Sequence, residues 1–415
     1  MTLAADGGTP VRTRPLPSGK GAEVLGPQER TAVLRVLDRG ALFRYYGPVP
    51  PEEVAAFEDE VAAFSGEGCR AVAVSSGTAA LRTALAALGV GAGDEVVVPA
   101  CTFVASVNAV VLAGAMPVFA EVDDTLCLSA ESVRSVLTSR TAAVMPVHLD
   151  NGQADLDALL AVTGPAGVAV VEDTAQSMGA TLHGRRLGTI GDVGAFSLQL
   201  DKNITAGEGG IVVTRDERLA LRAAAFQDQG GHFLTQHGAG RDHAPDPFVG
   251  DNLRLTEMAG AIARVQLARL DGLLDAMRTA KAAILTAAGP LPGVTMRRYP
   301  DPVGEGGSGI GMLLATPELA ARFAAALCAE GVPAGAPYGG QPVYATPAVM
   351  QQRTAAMKGH PWHVPGVTAY AMGMCPQTED LLARCVRVGV SPAYTPADVD
   401  DVATALAKVA DAVLR

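Results

Sequence analysis

The segment 168–210 restricts what this chain can fold into more than any other part of the sequence. It begins with an apolar, β-branched run at 168–171, which predicts a buried strand that carries Asp173 at its carboxyl end. A second apolar run at 193–198 precedes Lys202 and a glycine-rich turn. Open α/β sheets bind ligands at the carboxyl ends of their strands, so the sequence predicts a site that contains this carboxylate and this amine.

A carboxylate and a lysine at neighbouring strand ends suit the chemistry of pyridoxal 5′-phosphate. A lysine amine forms a Schiff base with the aldehyde of this cofactor, and a carboxylate beside the pyridine nitrogen keeps that nitrogen protonated. We assign the first role to Lys202 and the second to Asp173. Each residue also has an ordinary alternative, because Lys202 alone could be a solvated loop residue and Asp173 alone could cap a helix.

The turn at 75–78 indicates a phosphate site. It follows a predicted strand at 71–74, and a predicted helix begins at Ala79. Free backbone N–H groups and hydroxyls at the N-terminus of a helix bind anions. The same residue types also cap helices that bind no ligand.

The order of motifs along the chain resembles the DegT/DnrJ/EryC1/StrS family of aminotransferases, which depend on pyridoxal 5′-phosphate. The matching stretches are Ser76-Gly77-Thr78, Glu172-Asp173-Thr174-Ala175-Gln176, Gly191-Asp192 with Phe196-Ser197, Lys202-Asn203 with Gly207-Glu208-Gly209-Gly210, and Gly250-Asp251-Asn252-Leu253-Arg254. The resemblance covers nearly the whole chain. It implies an α/β, fold-type-I transferase with a large, mixed, mostly parallel sheet domain and a smaller α+β C-terminal domain.

The resemblance also implies a role for individual side chains. Lys202 would hold the cofactor as an internal aldimine, Asp173 would contact the ring nitrogen, and Gln176 would contact the phenolic oxygen. The other implied cofactor contacts are Gly77, Thr78 and Ser197 at the phosphate, Phe103 on the ring face, and Asn252 at the phosphate of the partner subunit in a homodimer. Relatives that dehydrate sugars have histidine in place of this lysine, so Lys202 favours amino transfer.

Four further residues are candidates for contact with the substrate. Arg44 and Tyr45 lie on a loop bounded by glycines, where they could equally form a packed turn. His148 follows a predicted strand and could be an ordinary hydrogen-bonded histidine. Tyr338 lies in a loop rich in proline and glycine at 333–343.

The charge and the cysteines of the chain exclude several classes of protein. The formal net charge of −11 argues against a general binder of nucleic acid or of anionic membranes, so an anionic ligand must be held by local donors. Six cysteines are scattered without a CxxC pair, which predicts reduced thiols in a cytoplasmic protein and no zinc site. The segment 230–250 holds three of the seven histidines, but their spacing matches no zinc pattern and predicts a mobile loop near the site.

No part of the sequence predicts a membrane segment. Residues 1–17 lack the apolar run of a signal peptide. The uncharged segment 96–120 contains prolines and polar residues and divides into a strand, a helix and a strand.

The strands and helices alternate from 71 to 214, which predicts a mostly parallel sheet with helices on both faces. We predict an N-terminal arm at 1–30, a large cofactor-binding domain at 31–260 and a small C-terminal domain at 261–415.

The resemblance implies an aminotransferase that moves an amino group from L-glutamine or L-glutamate to a keto-cyclitol or keto-sugar, in the biosynthesis of an aminoglycoside-like metabolite. The stretches 7–12 and 338–344 resemble the glutamine-using cyclitol and aminohydroxybenzoate branch more than the nucleotide-sugar branch, which stays the alternative. A non-catalytic accessory member would have lost cofactor residues, and none is lost. A reductase would need GxGxxG, which the segment 207–210 lacks.

Overall fold

The computed structural model describes residues 2–233, 248–355, 359–363 and 369–414. Its larger sheet has seven strands in the order β1-β9-β8-β5-β4-β2-β3. These strands are β1 (Arg70–Val74), β2 (Glu95–Pro99), β3 (Met116–Ala120), β4 (Thr141–Val144), β5 (Ala169–Asp173), β8 (Val193–Ser197) and β9 (Gly210–Thr214), and a separate hairpin consists of β6 (Thr181–Leu182) and β7 (Arg185–Arg186). Only β9 runs in the direction opposite to the other six strands, so the predicted mixed, mostly parallel sheet is confirmed.

The strands of this sheet are mainly apolar because helices cover both faces, and their charged residues stand at the strand ends. Every residue of β2, β8 and β9 is buried. The helices of this part of the chain are α1 (Pro27–Arg39), α2 (Glu53–Ser65), α3 (Gly77–Leu88), α4 (Val104–Leu112), α5 (Ala130–Val136), α6 (Leu156–Ala166), α7 (Glu217–Gln227), α8 (Glu257–Leu267) and α9 (Leu270–Ala288). None of the helices in the described ranges is long and apolar enough to cross a membrane.

The C-terminal part of the chain contains a second, smaller sheet. Its four strands are antiparallel and lie in the order β10-β11-β13-β12. The elements are β10 (Thr295–Met296), β11 (Gly309–Leu313), α10 (Pro317–Ala329), β12 (Ala334–Gly335), α11 (Pro347–Met350), α12 (Pro376–Arg384), β13 (Cys385–Gly389) and α13 (Pro396–Val413). This agrees with the predicted α+β architecture.

The sequence also predicts helices at 155–160, 258–273, 274–288 and 379–384, and several of these boundaries are wrong by a few residues. The helix predicted at 155–160 continues to Ala166, and the one predicted at 379–384 begins at Pro376. The break that was predicted after 273 lies between Leu267 and Leu270. An apolar periodicity does not reveal where a helix ends when the next helix follows at once and continues the same apolar stripe.

The domain boundary at 260 stays a prediction, because the apolar core does not divide there. One cluster of fully buried side chains contains Phe57 from α2, Leu274 from α9, Phe323 from α10 and Leu406 from α13. The two sheets therefore share part of their core.

The N-terminal arm contains two short 3₁₀ helices and packs against the C-terminal helices. The Arg12 guanidinium forms ion pairs with Asp398 at 2.7 Å and Asp401 at 2.8 Å. The buried Glu330 carboxylate accepts hydrogen bonds from the backbone N–H groups of Ala4 and Val11. These contacts fix the arm, which then runs on towards the carboxyl ends of the large sheet.

The start of α2 is held by a buried carboxylate from α8. Glu257 accepts hydrogen bonds from the backbone N–H groups of Glu52 at 2.8 Å, Glu53 at 2.7 Å and Val54 at 3.1 Å. The first N–H groups of a helix lack partners within the helix, and a negative charge there is favourable. Glu257 thus joins two helices through one side chain.

We expect Glu257→Gln to lower the free energy of unfolding by about 2 kcal/mol, because an amide cannot accept three N–H donors as a carboxylate does. Chemical denaturation measures the loss. Asp59→Asn, at an exposed position of α2, is the matched control and should leave stability unchanged. Equal stability of the two variants would contradict the anchoring role.

Candidate active site

A cavity of about 580 Å³ lies at the carboxyl ends of the parallel strands. It brings together eight of the twelve residues that the sequence predicts for the site. These are Gly77, Thr78, Phe103, Asp173, Gln176, Ser197, Lys202 and Tyr338. They come from six separate stretches of the chain, so the sheet topology is what assembles them.

Asp173 ends strand β5 and is 5% exposed. Its carboxylate accepts hydrogen bonds from the Ser106 hydroxyl at 2.7 Å and the Ala175 N–H at 3.1 Å. Burial raises the pKa of this carboxyl, although Ser106, Ala175 and Lys202 favour its charged form. A carboxylate in this position can accept a hydrogen bond from a protonated ring nitrogen.

Lys202 follows strand β8 and is partly buried at the cavity wall. Burial lowers the pKa of its amine, and the nearby carboxylates of Asp173, Asp201 and Glu208 oppose the shift. The backbone carbonyl of Lys202 accepts a hydrogen bond from Gly21 N–H in the arm. The neighbouring Asn203 exchanges two amide hydrogen bonds with Asn151, of 2.9 and 2.7 Å. The amine is therefore held on a fixed backbone.

The N-terminus of α3 forms an anion cradle. Ser76 caps the helix by accepting a hydrogen bond from Ala79 N–H, and the first-turn N–H groups of Gly77 and Thr78 lack acceptors within the helix. A Cβ atom at Gly77 would lie 2.7 Å from the Cβ of Ser197, so only glycine fits here. Backbone N–H groups and hydroxyls converge as a phosphate group requires.

Aromatic and amide side chains line the other wall. Phe103 is 57% exposed, and its ring centroid lies 6.5 Å from that of Tyr338. Gln176 donates a hydrogen bond to the Tyr338 hydroxyl at 2.8 Å and accepts one from Asp150 N–H at 3.0 Å. An exposed ring face in a cavity suits stacking on a flat heteroaromatic group.

The structure does not bring Arg44 and Tyr45 to this cavity. The Arg44 guanidinium is buried and bound to Glu58 at 2.8 Å and to the Ala73 carbonyl at 3.0 Å. The Tyr45 hydroxyl accepts a hydrogen bond from Gln227, and burial raises the pKa of this phenol to about 12. Within one chain, these side chains support the packed-turn alternative.

His148 is also kept from the cavity, because it is fully buried and both ring nitrogens are occupied. Nδ1 accepts a hydrogen bond from Ala154 N–H at 3.1 Å, so Nε2 carries the proton and donates to Glu172 at 3.0 Å. Glu172 also accepts three backbone N–H groups from 188–191, each at 2.6 Å. We therefore replace the predicted substrate contact of His148 with a structural role. In this role His148 binds the buried carboxylate of Glu172 on strand β5.

Asn252 is exposed and lies outside the cavity of its own chain. Its backbone pairs with that of Asp228 in an isolated bridge. Most of the predicted histidine-rich loop at 230–250 lies outside the described residues. Within the described ranges, no group of three or more His, Cys, Asp or Glu side chains is placed to hold a metal ion.

Sequence reasoning did not assign six charged residues of the cavity wall to the site. They are Lys20 from the arm, Asp150 from the loop after β4, Asp201 and Glu208 from the stretch around Lys202, and Arg297 and Arg387 from the C-terminal part. It also missed Ser106, which binds Asp173. Asp150 has a φ of 50°, a left-handed conformation that is uncommon for residues other than glycine and often marks functional sites.

The donor set fits pyridoxal 5′-phosphate. The cavity offers an amine for its aldehyde, a buried carboxylate for its ring nitrogen, an anion cradle for its phosphate and an exposed aromatic face for its ring. No residue of this set is blocked by an ion pair to another side chain in the described chain.

We expect Lys202 to react with an amine-specific acylating reagent at lower pH than a free lysine, because a lowered pKa leaves more of the amine neutral below 10.5. Peptide mass spectrometry of the cofactor-free protein across a pH series gives the midpoint. Asp173→Asn removes a charge that raises this pKa and should move the midpoint further down. A midpoint at or above 10.5 would contradict the desolvated environment.

Comparison with known proteins bears on this arrangement. The model of the DegT/DnrJ/EryC1/StrS aminotransferase family matches residues 25–407. An L-glutamine:2-deoxy-scyllo-inosose aminotransferase of Streptoalloteichus tenebrarius is 37% identical over 315 residues, which cover 72% of this chain and 72% of that protein. A 3-amino-5-hydroxybenzoate synthase of Amycolatopsis mediterranei is 39% identical over 248 residues, 59% of this chain and 61% of that protein.

A solved structure is similar over almost the whole chain. The crystal structure of DesV from S. venezuelae superimposes with a TM-score of 0.79 and 32% identity, covering 96% of this chain and 99% of that one. These similarities confirm the resemblance found in the sequence motifs.

Proposed function

The chain belongs to the DegT/DnrJ/EryC1/StrS aminotransferase family and depends on pyridoxal 5′-phosphate, and we propose that it transfers the amino group of L-glutamine to a keto-cyclitol. The observation that carries the proposal is one cavity in which Lys202, Asp173 and the N-terminus of α3 meet. The choice of donor and acceptor is supported by the relatives that are named as L-glutamine:2-deoxy-scyllo-inosose aminotransferases, 37–39% identical to this chain. The product would enter an aminoglycoside-like biosynthesis.

We assign the cofactor contacts to residues of the cavity wall. The amides of Gly77 and Thr78 and the Ser197 hydroxyl would bind the phosphate. Asp173 would accept the N–H of the ring, and Phe103 would cover one ring face. When bound, pyridoxal 5′-phosphate supplies an aldehyde that condenses with amines and a ring that accepts electrons.

Lys202 would have two tasks, to hold the cofactor and to move protons. When free, its amine lies at the cavity wall, where burial lowers its pKa. A general base works best when its pKa is close to the working pH. The amine would take the proton from the Cα of the donor and later return one to the carbon that receives the new amino group.

Gln176 and Tyr338 would shape the substrate side of the cavity. The hydrogen bond between them fixes the Tyr338 ring opposite Phe103. Tyr338 has a φ of 51°, so its loop holds an uncommon backbone conformation to present this ring.

We further propose a cytoplasmic homodimer in which each subunit completes the site of the other. The exposure of Asn252 outside its own cavity accords with a contact to the phosphate bound by the partner subunit. Tyr45 is hydrogen-bonded to Gln227, and Arg44 interacts with Asp228, whose backbone pairs with that of Asn252. Arg44 and Tyr45 therefore lie near Asn252, and we propose this face as the interface. All six cysteines are free, as a reducing compartment favours.

The cofactor assignment is tested by trapping. After incubation with pyridoxal 5′-phosphate and reduction with borohydride, peptide mass spectrometry should find the cofactor on Lys202 of the wild-type chain. Lys202→Ala and the charge-preserving Lys202→Arg should both lose this adduct, because neither side chain condenses with an aldehyde. An adduct of equal yield on another lysine would overturn the assignment.

The donor is tested on the same preparation. L-glutamine should convert the visible absorption of the bound cofactor to that of the amine form, and L-glutamate serves as the competing donor. A response to L-glutamate alone would favour the nucleotide-sugar branch and reject the glutamine proposal.

The shared site is tested with hybrid dimers. We expect a dimer of one Lys202→Ala subunit and one Asn252→Ala subunit to bind the cofactor with wild-type affinity at its single intact lysine, because the partner supplies the intact Asn252. The control is a hybrid of wild type with the double variant, whose one intact lysine faces a partner without Asn252. If Asn252 acts within its own chain, the order of the two affinities is reversed.

A further inference from the structure

The wall of the cavity holds a buried arginine that forms no ion pair within the described part of the chain. Arg297 is 5% exposed, and its guanidinium donates to the carbonyl oxygens of Thr125 at 2.7 Å and Leu149 at 2.9 Å, with the Cys127 thiol at 3.6 Å. It forms no ion pair with any residue that the structure describes. Buried charges are normally paired, and Asp150, the carboxylate that acts on Arg297, is already bound to Arg387. This cation therefore indicates an anion that enters the cavity.

A second cation reaches the cavity from the N-terminal arm. The Lys20 amine donates to the Asp201 carbonyl at 3.1 Å and makes no ion pair within the described ranges. Burial lowers the pKa of this amine, and Arg387 and Lys202 act in the same direction, while Asp150 and Asp201 oppose it. An arriving anion would relieve this unfavourable environment.

The third cation, Arg387 on β13, is paired with Asp150. Its Nη2 lies 2.6 Å from Asp150 Oδ1, and its Nε is bound to the other carboxylate oxygen. Burial alone would raise the pKa of Asp150, but Arg387 holds it well below the usual range. The Asp150 carboxylate therefore interacts with all three cations, Lys20, Arg297 and Arg387. The exposed Asp201 and Glu208 also line the cavity and act on the Lys202 amine.

Two glycines of strand β11 make room for these arginines. A Cβ atom at Gly309 would lie 2.3 Å from Asp150 Oδ2 and 3.1 Å from Arg387 Nε. A Cβ atom at Gly311 would lie 2.9 Å from the Cβ of Arg297. Any larger residue in either place would displace a cation from the wall, so the strand is shaped around them.

The cations do not belong to the phosphate cradle. Asp150 N–H donates to Gln176, which donates in turn to Tyr338. The cluster therefore adjoins the substrate wall, whereas the cradle is formed by α3. Planar guanidinium groups match the geometry of a carboxylate and bind it through two parallel hydrogen bonds.

We propose that Lys20, Arg297 and Arg387 form a carboxylate-binding subsite for the substrate. The proposal rests on the proposed function, since it places the subsite in the cavity where amino transfer occurs. The carboxylate could belong to the amino acid donor or to a ring acid such as the product named for the aminohydroxybenzoate relative. Both sources share the chemistry that the subsite recognises.

The test compares ligands with and without a carboxylate on Lys20→Gln, since Lys20 forms no ion pair among the described residues whose loss would disturb folding. The probes are L-glutamine and its α-carboxamide, which lacks the carboxylate and keeps the ammonium group, and 3-amino-5-hydroxybenzoate and its carboxamide. The change in absorption of the bound cofactor gives the concentration of each probe at half-saturation. Calorimetry on cofactor-free protein measures the affinity for 3-amino-5-hydroxybenzoate and for its carboxamide. Arg14→Gln, an exposed arm position outside the cavity, is the matched control for loss of one positive charge.

We expect Lys20→Gln to weaken the binding of a ligand with a carboxylate about tenfold and that of its carboxamide less than twofold. Selective loss with L-glutamine assigns the subsite to the donor, and selective loss with the benzoate assigns it to the acceptor. The double variant Asp150→Asn with Arg387→Gln, which removes both members of the ion pair, should show the same selectivity.

Equal weakening of the carboxylate ligands and their carboxamides, or no change in the binding of either, would overturn the subsite. The proposed function fails separately, because it requires the adduct on Lys202 and conversion by L-glutamine in the wild-type chain, whichever variant is measured.

Discussion

The two amide hydrogen bonds between Asn151 and Asn203 are the contact on which the geometry of the site depends. They join the loop after β4 to the turn that carries Lys202, and Asn203 also donates to the Met178 carbonyl at 2.9 Å. Both side chains are buried, so an unpaired amide here would carry the full cost of desolvation. Because Asp150 precedes Asn151 and Lys202 precedes Asn203, the same pair fixes Lys202 relative to the carboxylate that binds Arg387.

The sequence allowed the large sheet and the cofactor side of the site to be predicted, because both are encoded locally. Apolar β-branched runs marked the strands, and Asp173, Lys202 and Gly77 each lie within a few residues of a strand end. Arg387 could not be recognised, since an arginine in a short strand looks like any surface residue until β11 and the arm are packed beside it. The burial of His148 could not be recognised either, because its partner Glu172 lies on strand β5 and no local pattern shows that both side chains are buried.

The proposed anion sites lie in a chain whose net charge is −11. The cradle at α3 uses backbone N–H groups, whose number does not depend on composition. The cations of the other wall are few, but they lie away from bulk water, where a charge is screened much less than at the surface. The total charge of a protein therefore says little about the potential inside one of its cavities.

The N-terminal arm brings Lys20 into the cavity without adding a strand to either sheet. Its attachment rests on Arg12 and Glu330, neither of which lines the cavity. Exposed residues between these anchors and α1, such as Ser18, can change without disturbing the core of the sheets, whereas Leu16 and Val24 pack against it. When such enzymes diverge, their substrate preference could therefore change through substitutions in the arm, while the residues proposed to bind the cofactor stay the same.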